Sequence, residues 1–266
     1  MIPERVRGNV TKVSLRRFFV QKIDEKQAHL VITGTEARHI SRVLRMGPGD
    51  RIILFDGQGA RFQAVIESVQ KNEVRAALEK TLPPPSPSPL EITLCQSLLK
   101  SRSMDYMIQK ASELGVDRIL PFFSQRTAVK VPAQSLANKV RHWRQIALSA
   151  AKQCDRTKPA EIGKPVSLPE LLVRLQKEHA LKIILWEQEE RADLRDLLKT
   201  SRNAGKVAAI VGPEGGFGFE EIARARLSGF KPIFLGPRIL RAETAAIVLV
   251  ALLQYEWGDL SLQGQT

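Results

Sequence analysis

KVAAIVGPEGGFGFEEIARARLSG, residues 206–229, reads as a strand, a glycine-rich bend and a helix in immediate succession. After Lys206 the run to 212 is apolar without alternation, the mark of a strand covered on both faces. The helix after the bend carries Glu220 and Glu221 in its first turn, where carboxylates suit the positive end of the helix dipole. The same grammar repeats on both sides. LEITLCQ at 90–96 is a strand, and 101–115 a helix with Met104, Met107, Ile108, Ala111 and Leu114 on one face and Gly115 as its stop. VDRILPFF at 116–123, LKIILW at 181–186 and PIFLG at 232–236 read as further strands, and 135–152 and 243–257 as further helices. Strands separated by helices predict an α/β unit with a mainly parallel sheet covered on both faces.

The bend itself fails both phosphate-binding patterns. Gly216 and Gly218 open a dinucleotide fingerprint, but its third glycine position holds Glu221. The Gly-Lys pairs, Gly163-Lys164 and Gly205-Lys206, lack the upstream glycine and the following hydroxyl of a P-loop. Glu214 in the middle of the bend would repel a phosphate. A ligand held here is held by groups other than phosphates.

Ahead of this unit lies TLPPPSPSP, residues 81–89, with five of the chain's 15 prolines. Its restricted backbone predicts a stiff connector. It sets the expected organisation: a small domain at 1–82, a linker at 83–89 and the α/β domain at 90–266. In the first, strand-like pieces at 18–23, 29–32, 51–55, 60–69 and 73–78 surround TEARHISRVLRM, which places Ala37, Ile40, Val43 and Leu44 at helical spacing. A closed or nearly closed small sheet with one helix is expected.

Forty-one Lys and Arg against 28 Asp and Glu give the 266 residues a formal charge of +13. Such a balance favours a polyanionic partner, nucleic acid above all, although a generally basic surface satisfies the same count. Cys95 and Cys154 form neither a disulfide framework nor a zinc site, so a reducing, cytoplasmic setting is expected. AAIVLVALL at 245–253 is well short of the roughly 20 residues that cross a bilayer, and the N-terminus lacks an apolar leader core, so no membrane association is expected.

In parallel sheets ligands collect at the carboxyl ends of strands. Three such ends carry unusual punctuation: LWEQEE (185–190), VGPEGG (211–216) and LGPRILRAET (235–244). There is no H-E-x-x-H, no Cys-x-x-Cys and no nucleophile elbow, and His29, His39, His142 and His179 are scattered, so no metal is expected. Arginines, backbone amides and carboxylates remain. They suit a group transfer from an activated donor, which asks the protein for orientation and electrostatics.

At these loops the chain resembles the RsmE-type 16S ribosomal RNA uridine methyltransferases of the SPOUT superfamily. The resemblance is carried by RRFFV (16–20), HISRVLRMGPGD (39–50), KSRSMDYMIQKASELGVDRILPF (100–122), AAKQCDRTKPAEI (150–162), IVGPEGGFGFEE (210–221) and LGPRILRAETA (235–245). It implies a PUA-like small β-barrel domain for RNA binding and a C-terminal SPOUT-type domain with a parallel sheet and a deep trefoil knot. It further implies S-adenosyl-L-methionine as cofactor, a homodimer, and methylation at N3 of a uridine in 16S rRNA, naked or within a small-subunit particle. A SPOUT-like enzyme acting at another rRNA or tRNA position, and a non-catalytic RNA-binding assembly protein, are the alternatives.

Carried over residue by residue, the resemblance makes Leu185, Trp186 and Glu187, then Val211, Gly212, Pro213, Glu214, Gly215 and Gly216, then Leu235, Gly236, Arg238, Ile239 and Leu240 the cofactor-contacting loops. Arg241, in the segment shared with Glu243 and Thr244, is expected to orient the target nucleotide or stabilise charge as N3 loses its proton, with an ion pair to Glu243 or another acid at the knot as its structural alternative. Arg126 and Arg156, with Gln153, are further catalytic candidates, since a guanidinium grips a phosphate or stacks on a base; solvated surface arginines are the alternative. Lys100 and Arg102 are expected to face RNA, as are Arg16, Arg17, His39, Arg42 and Arg45 in the first domain. Lys152 stands where the family frequently has an acid. No residue is an evident general base.

Overall fold

The computed structural model describes residues 15–260 except 25, 130, 179, 190–191 and 202–203. The leader-free reading of the N-terminus falls largely on residues 1–14, which lie outside the described residues, as do His179 and Glu190. The chain divides into two compact units, Met1–Pro84 and Pro85–Thr266. Residues 82–90, the proline-rich stretch, carry no strand or helix.

The first unit is a five-stranded sheet built from β1 (Arg16–Phe19), β2 (His29–Thr33), β3 (Arg51–Phe55), β4 (Arg61–Val69) and β5 (Glu73–Thr81) in the order β1-β3-β4-β5-β2. β1 runs parallel to β3 and the other pairs are antiparallel. Inward-facing Ile32, Leu54, Phe62, Ile66 and Val74 meet Phe18 and Ile40 in one core, as the period of two in a half-covered strand requires. Among the described residues no ladder joins β1 to β2, so strand pairing does not make the closure expected from the sequence.

α1 (Gly34–Arg38) passes directly into a π-helical turn at His39–Val43. The sequence spacing predicts a regular helix through Met46 with Val43 facing inward. Instead the Leu44 amide reaches back five residues to the His39 carbonyl, the wider turn leaves Val43 69% exposed, and Arg45 closes the segment in the left-handed region at φ 52°.

The second unit is a three-layer α/β fold. Its elements are β6 (Glu91–Ser97), α2 (Ser101–Glu113), β7 (Arg118–Phe123), α3 (Ala133–Cys154), β8 (Glu161–Ile162), β9 (Val166–Ser167), α4 (Leu168–Gln176), β10 (Leu181–Leu185), α5 (Leu194–Thr200), β11 (Lys206–Val211), α6 (Phe219–Leu227), β12 (Lys231–Ile233) and α7 (Ala242–Trp257). The strand order is β12-β10-β11-β6-β7-β8, with β9 also on β7, and every pair is parallel. β11 shows why its sequence lacks alternation. Val207, Ala209 and Val211 enter the core beneath α2, α3, α5 and α7, while Ala208 and Ile210 enter the one beneath α4 and α6.

Two local devices fix the ends of these elements. Asp155, at φ 67°, turns the chain out of α3 in the left-handed region. Arg156 then donates to the carbonyls of Val116 (2.6 Å) and Ser112 (3.4 Å) and pairs with Asp117 at 3.1 Å. Burial pushes the Asp117 carboxyl above its ordinary range, opposed by the Ile92 amide and by Arg156. The second device is Glu221, the residue that spoiled the glycine fingerprint. It is 4% exposed, and its carboxylate accepts from the Gly218 amide (3.0 Å), the Gln125 amide (3.0 Å) and the Ser124 hydroxyl (3.3 Å). It thus caps α6 from its third position and pins the loop after β7 to the same helix end.

Replacing Glu221 with Ala removes a helix cap and leaves two amides short of an acceptor, so urea unfolding is expected to show a loss of about 2–4 kcal/mol. Burial also pushes the thiols of Cys95 and Cys154 up, and Cys95 is wholly enclosed. Iodoacetamide at pH 8 is therefore expected to leave Cys95 unlabelled in the native protein and Cys154 slow to react, with both labelled in denaturant by mass spectrometry.

Candidate functional site

The carboxyl ends of β10, β11 and β12 and the first turns of α2 and α7 surround one cavity of about 670 Å³, a size that suits a small organic ligand. All three punctuated loops reach it. Leu185, Trp186 and Glu187 come from the end of β10; Val211, Gly212, Pro213, Glu214 and Gly216 from the bend after β11; Leu235, Gly236, Arg238, Ile239 and Leu240 from the segment after β12. Of the residues expected at the cofactor, Gly215 alone stands outside the lining.

The bend keeps its shape through backbone bonds and a buried amide. The Gly216 amide donates to the Pro213 carbonyl at 3.0 Å. Gln96, fully buried at the end of β6, donates its side-chain amide to the carbonyls of Val211 (3.4 Å) and Gly212 (3.1 Å). Gly216 sits at φ 67° with the Glu187 carboxylate 2.8 Å from where a Cβ would stand. A side chain there would be strained and would press on the neighbouring loop. Gly212 backs onto the Phe217 ring, which itself stacks parallel to Phe122 at 6.4 Å.

The lining is polar at selected points. Carboxylates of Glu187, Glu214 and Glu243 share the cavity with the cations Lys100, Arg238 and Arg241. Glu214 accepts from the Lys100 amide at 3.4 Å, and Glu243 accepts from the Ser103 hydroxyl at 3.0 Å. Among the described residues Arg241 forms no ion pair with Glu243 or another acid; it occupies the N-cap position of α7, without a side-chain cap bond, and is exposed. Trp186 is braced from outside by Phe219, edge-on at 5.8 Å, and by Arg226, whose guanidinium lies 5.7 Å from the ring.

The other candidates divide. Lys100 lines the cavity and Arg102, in the first turn of α2, is exposed. Arg126 is outside the lining, and its guanidinium donates to the Gly215 carbonyl at 3.1 Å while its Cβ backs that glycine. It supports the bend from behind. Arg156 is placed at the opposite, amino ends of the strands, held by Val116 and Asp117, and does not reach the cavity of its own chain. Arg16, Arg17, His39, Arg42 and Arg45 belong to the first unit, where an edge contact at 6.0 Å between Phe18 and His39 sets the π-helical turn against β1.

Sequence reading missed Ser103 and Phe234 in the lining and Gln96 and Glu221 behind it. A polar Gln at the end of an otherwise apolar strand was the available signal for Gln96. A second hollow of about 630 Å³ beside β12, walled by Asp193, Asp196 and Lys231, holds none of the expected residues. No cluster of metal-ligating side chains occurs among the described residues.

Comparison with known proteins agrees with this geometry. Residues 86–254 match the model of an RNA methyltransferase domain and residues 32–79 that of an RNA methyltransferase PUA domain. The ribosomal RNA small subunit methyltransferase E of Mycobacterium bovis is 31% identical over 90% of this chain and 92% of its own length. A methyltransferase from Legionella pneumophila, solved in complex with the cofactor SAM, superposes with a TM-score of 0.86 at 37% identity, over 93% of this chain and 100% of that one. The ribosomal RNA small subunit methyltransferase E of Neisseria gonorrhoeae, bound to S-adenosyl methionine, gives 0.85 at 30% identity over the same shares. With a cavity built from the same three strand ends that the resemblance singled out, and relatives matched along nearly their whole length, the chain belongs to the ribosomal RNA small subunit methyltransferase E family.

Proposed function

We propose that the protein methylates N3 of a uridine in 16S rRNA, using S-adenosylmethionine held in the cavity at the ends of β10, β11 and β12. The observation that carries the reading is the convergence of three backbone-rich loops with separate anionic and cationic groups on a single cavity of about 670 Å³. Main-chain groups of Leu185, Val211 and Leu235 suit the adenine and ribose, and Gly216 leaves room for a bent ligand. Glu187 and Glu214 suit its positively charged groups, and Arg238 its carboxylate. S-adenosylmethionine, when bound, supplies an electrophilic methyl group on sulfonium sulfur.

The protein's own part is orientation and charge. Arg241, at the cap of α7 and in the cavity wall, faces the target nucleotide and stabilises the negative charge left as N3 loses its proton. Arg126 acts through Gly215 by holding the bend. Lys100 and Arg102 extend the positive potential toward phosphates, and in the first unit Arg16, Arg17, His39, Arg42 and Arg45 take backbone contacts on the rRNA.

Three finer features belong to the same reading. β12 pairs on the far side of β10, yet the chain that follows returns to pack α7 on α2, β6 and β11; this return supports a trefoil-knotted crossing. Exposed Tyr106 on α2 and Leu252 and Tyr255 on α7 give these packed helices an apolar outer surface, which supports a homodimer. The rRNA substrate sets the work in the cytoplasm. No helix among the described residues is long and apolar enough to cross a membrane.

Small-subunit rRNA from cells lacking the gene is expected to gain a labelled methyl group from labelled cofactor, located at N3 of one uridine by nucleoside mass spectrometry. A label at another position or no label would overturn the reading. Arg241→Ala is expected to slow transfer about a hundredfold. Gly216→Ala, which loads a left-handed position with a side chain, is expected to weaken S-adenosylmethionine about tenfold in calorimetry.

A further inference from the structure

The cavity wall contains an acceptor that the reading above leaves without work. Glu243 stands in the first turn of α7 and lines the cavity, and one of its carboxylate oxygens, Oε1, accepts from the Ser103 hydroxyl at 3.0 Å. Ser103 belongs to the first turn of α2 and lines the cavity as well. Two helix starts thus fix one carboxylate, leaving Oε2 with no hydrogen-bond partner among the described residues. The cations Lys100 and Arg241 line the same cavity, each within three residues of one member of this pair.

That arrangement has a chemical complement. The pairing edge of uracil reads carbonyl acceptor, N3–H donor, carbonyl acceptor, and its reader needs an acceptor with donors to either side. A carboxylate in a cavity whose wall also carries an ammonium and a guanidinium can supply that pattern. Cytosine presents an acceptor at N3 and would set a lone pair against the carboxylate. Glu187 and Glu214 are the other carboxylates of the lining, but both suit the positive groups of the cofactor, and Glu214 Oε1 already faces the Lys100 amide.

We propose that Glu243 reads the N3–H of the target uridine and takes its proton during transfer, with Ser103 as the residue that positions the carboxylate. This rests on the methyl-transfer reading above. The N3–H bond breaks with its electron pair left on nitrogen, and that pair forms the new bond to the methyl carbon. The pair of the sulfur–carbon bond stays on sulfur, which becomes a neutral thioether. The proton passes to Oε2 of Glu243 and then to solvent, and Arg241 offsets the charge that collects on the uracil carbonyls. Each of these steps conserves atoms and electrons without a further reactant.

The test combines binding without cofactor and single-turnover transfer. Wild-type protein is titrated with an rRNA fragment carrying the target uridine and with the same fragment carrying cytidine there. Wild type is expected to prefer uridine by about ten- to hundredfold, the range of a hydrogen bond to a charged group. Glu243→Gln presents an amide that can donate to cytidine N3, so the preference is expected to vanish or invert. Transfer to uridine is expected to fall by about a hundredfold or more, while S-adenosylmethionine affinity, read by calorimetry, stays within about threefold of wild type. Ser103→Ala is expected to reduce the preference several-fold, and Glu243→Asp to retain it in part. These two variants decide the matter should Glu243→Gln melt early. A Glu243→Gln protein that keeps both the uridine preference and the transfer rate overturns the proposal. Wild type that makes no N3-methyluridine overturns the functional reading instead, so the two failures are distinct.

Discussion

The pairing of β6 with β11 is the constraint on which the second unit depends. These strands are joined by the register from Lys206 on Glu91 to Val211 on Gln96, and the Gln96 side chain extends the join by holding the carbonyls of Val211 and Gly212. The ladder sets the height of the β11 bend relative to the turn that begins α2. It thereby brings Glu214 to the Lys100 amide. A buried amide that serves carbonyl oxygens loses its solvation unless those partners stay in place. Loop position is therefore tied to the sheet and not left to the loop. This explains how a site made largely of glycines and prolines keeps a fixed outline.

Much of the fold was legible because parallel sheets write their strands as unbroken apolar runs. The strands at 91–97, 181–185 and 206–211 and the helices at 101–113 and 242–257 fall within a residue or two of their sequence expectations. What was missed lacked length or used punctuation that went unread. α4 begins with Ser167, whose hydroxyl accepts from the Glu170 amide, followed by a proline in the first turn, a standard start signal. β8 and β9 have two residues each, too few for any period to register. In the first unit, helical spacing points Val43 inward; the π-helical turn that turns it outward leaves no trace in residue spacing.

The site divides along a similar line. Loop residues were readable because their identities are unusual at strand ends. Residues that act from behind were not, since Gln96 and Glu221 look like an ordinary strand residue and an ordinary helix residue. Arg156 illustrates the reverse case. A lone arginine carries no information about which end of the sheet it occupies, and the left-handed Asp155 turns it toward Val116 and Asp117 at the amino ends. The failed glycine fingerprint was informative for a reason invisible in the sequence: the position that should have been glycine holds the buried carboxylate that ties α6 to the loop after β7.

The strand order also bears on how the chain emerges during synthesis. β6 is made early, yet the neighbour that covers one of its edges is β11, 115 residues later at the Gln96 and Val211 contact. Until that segment leaves the ribosome, an apolar strand with free amides and carbonyls stands open along one side, the state in which nascent sheets are prone to pair with the wrong partner. The centre of this sheet thus closes only when β11 has emerged, with the edge strand β12 alone still to follow, and protection of the young chain falls to whatever covers that edge in the interval.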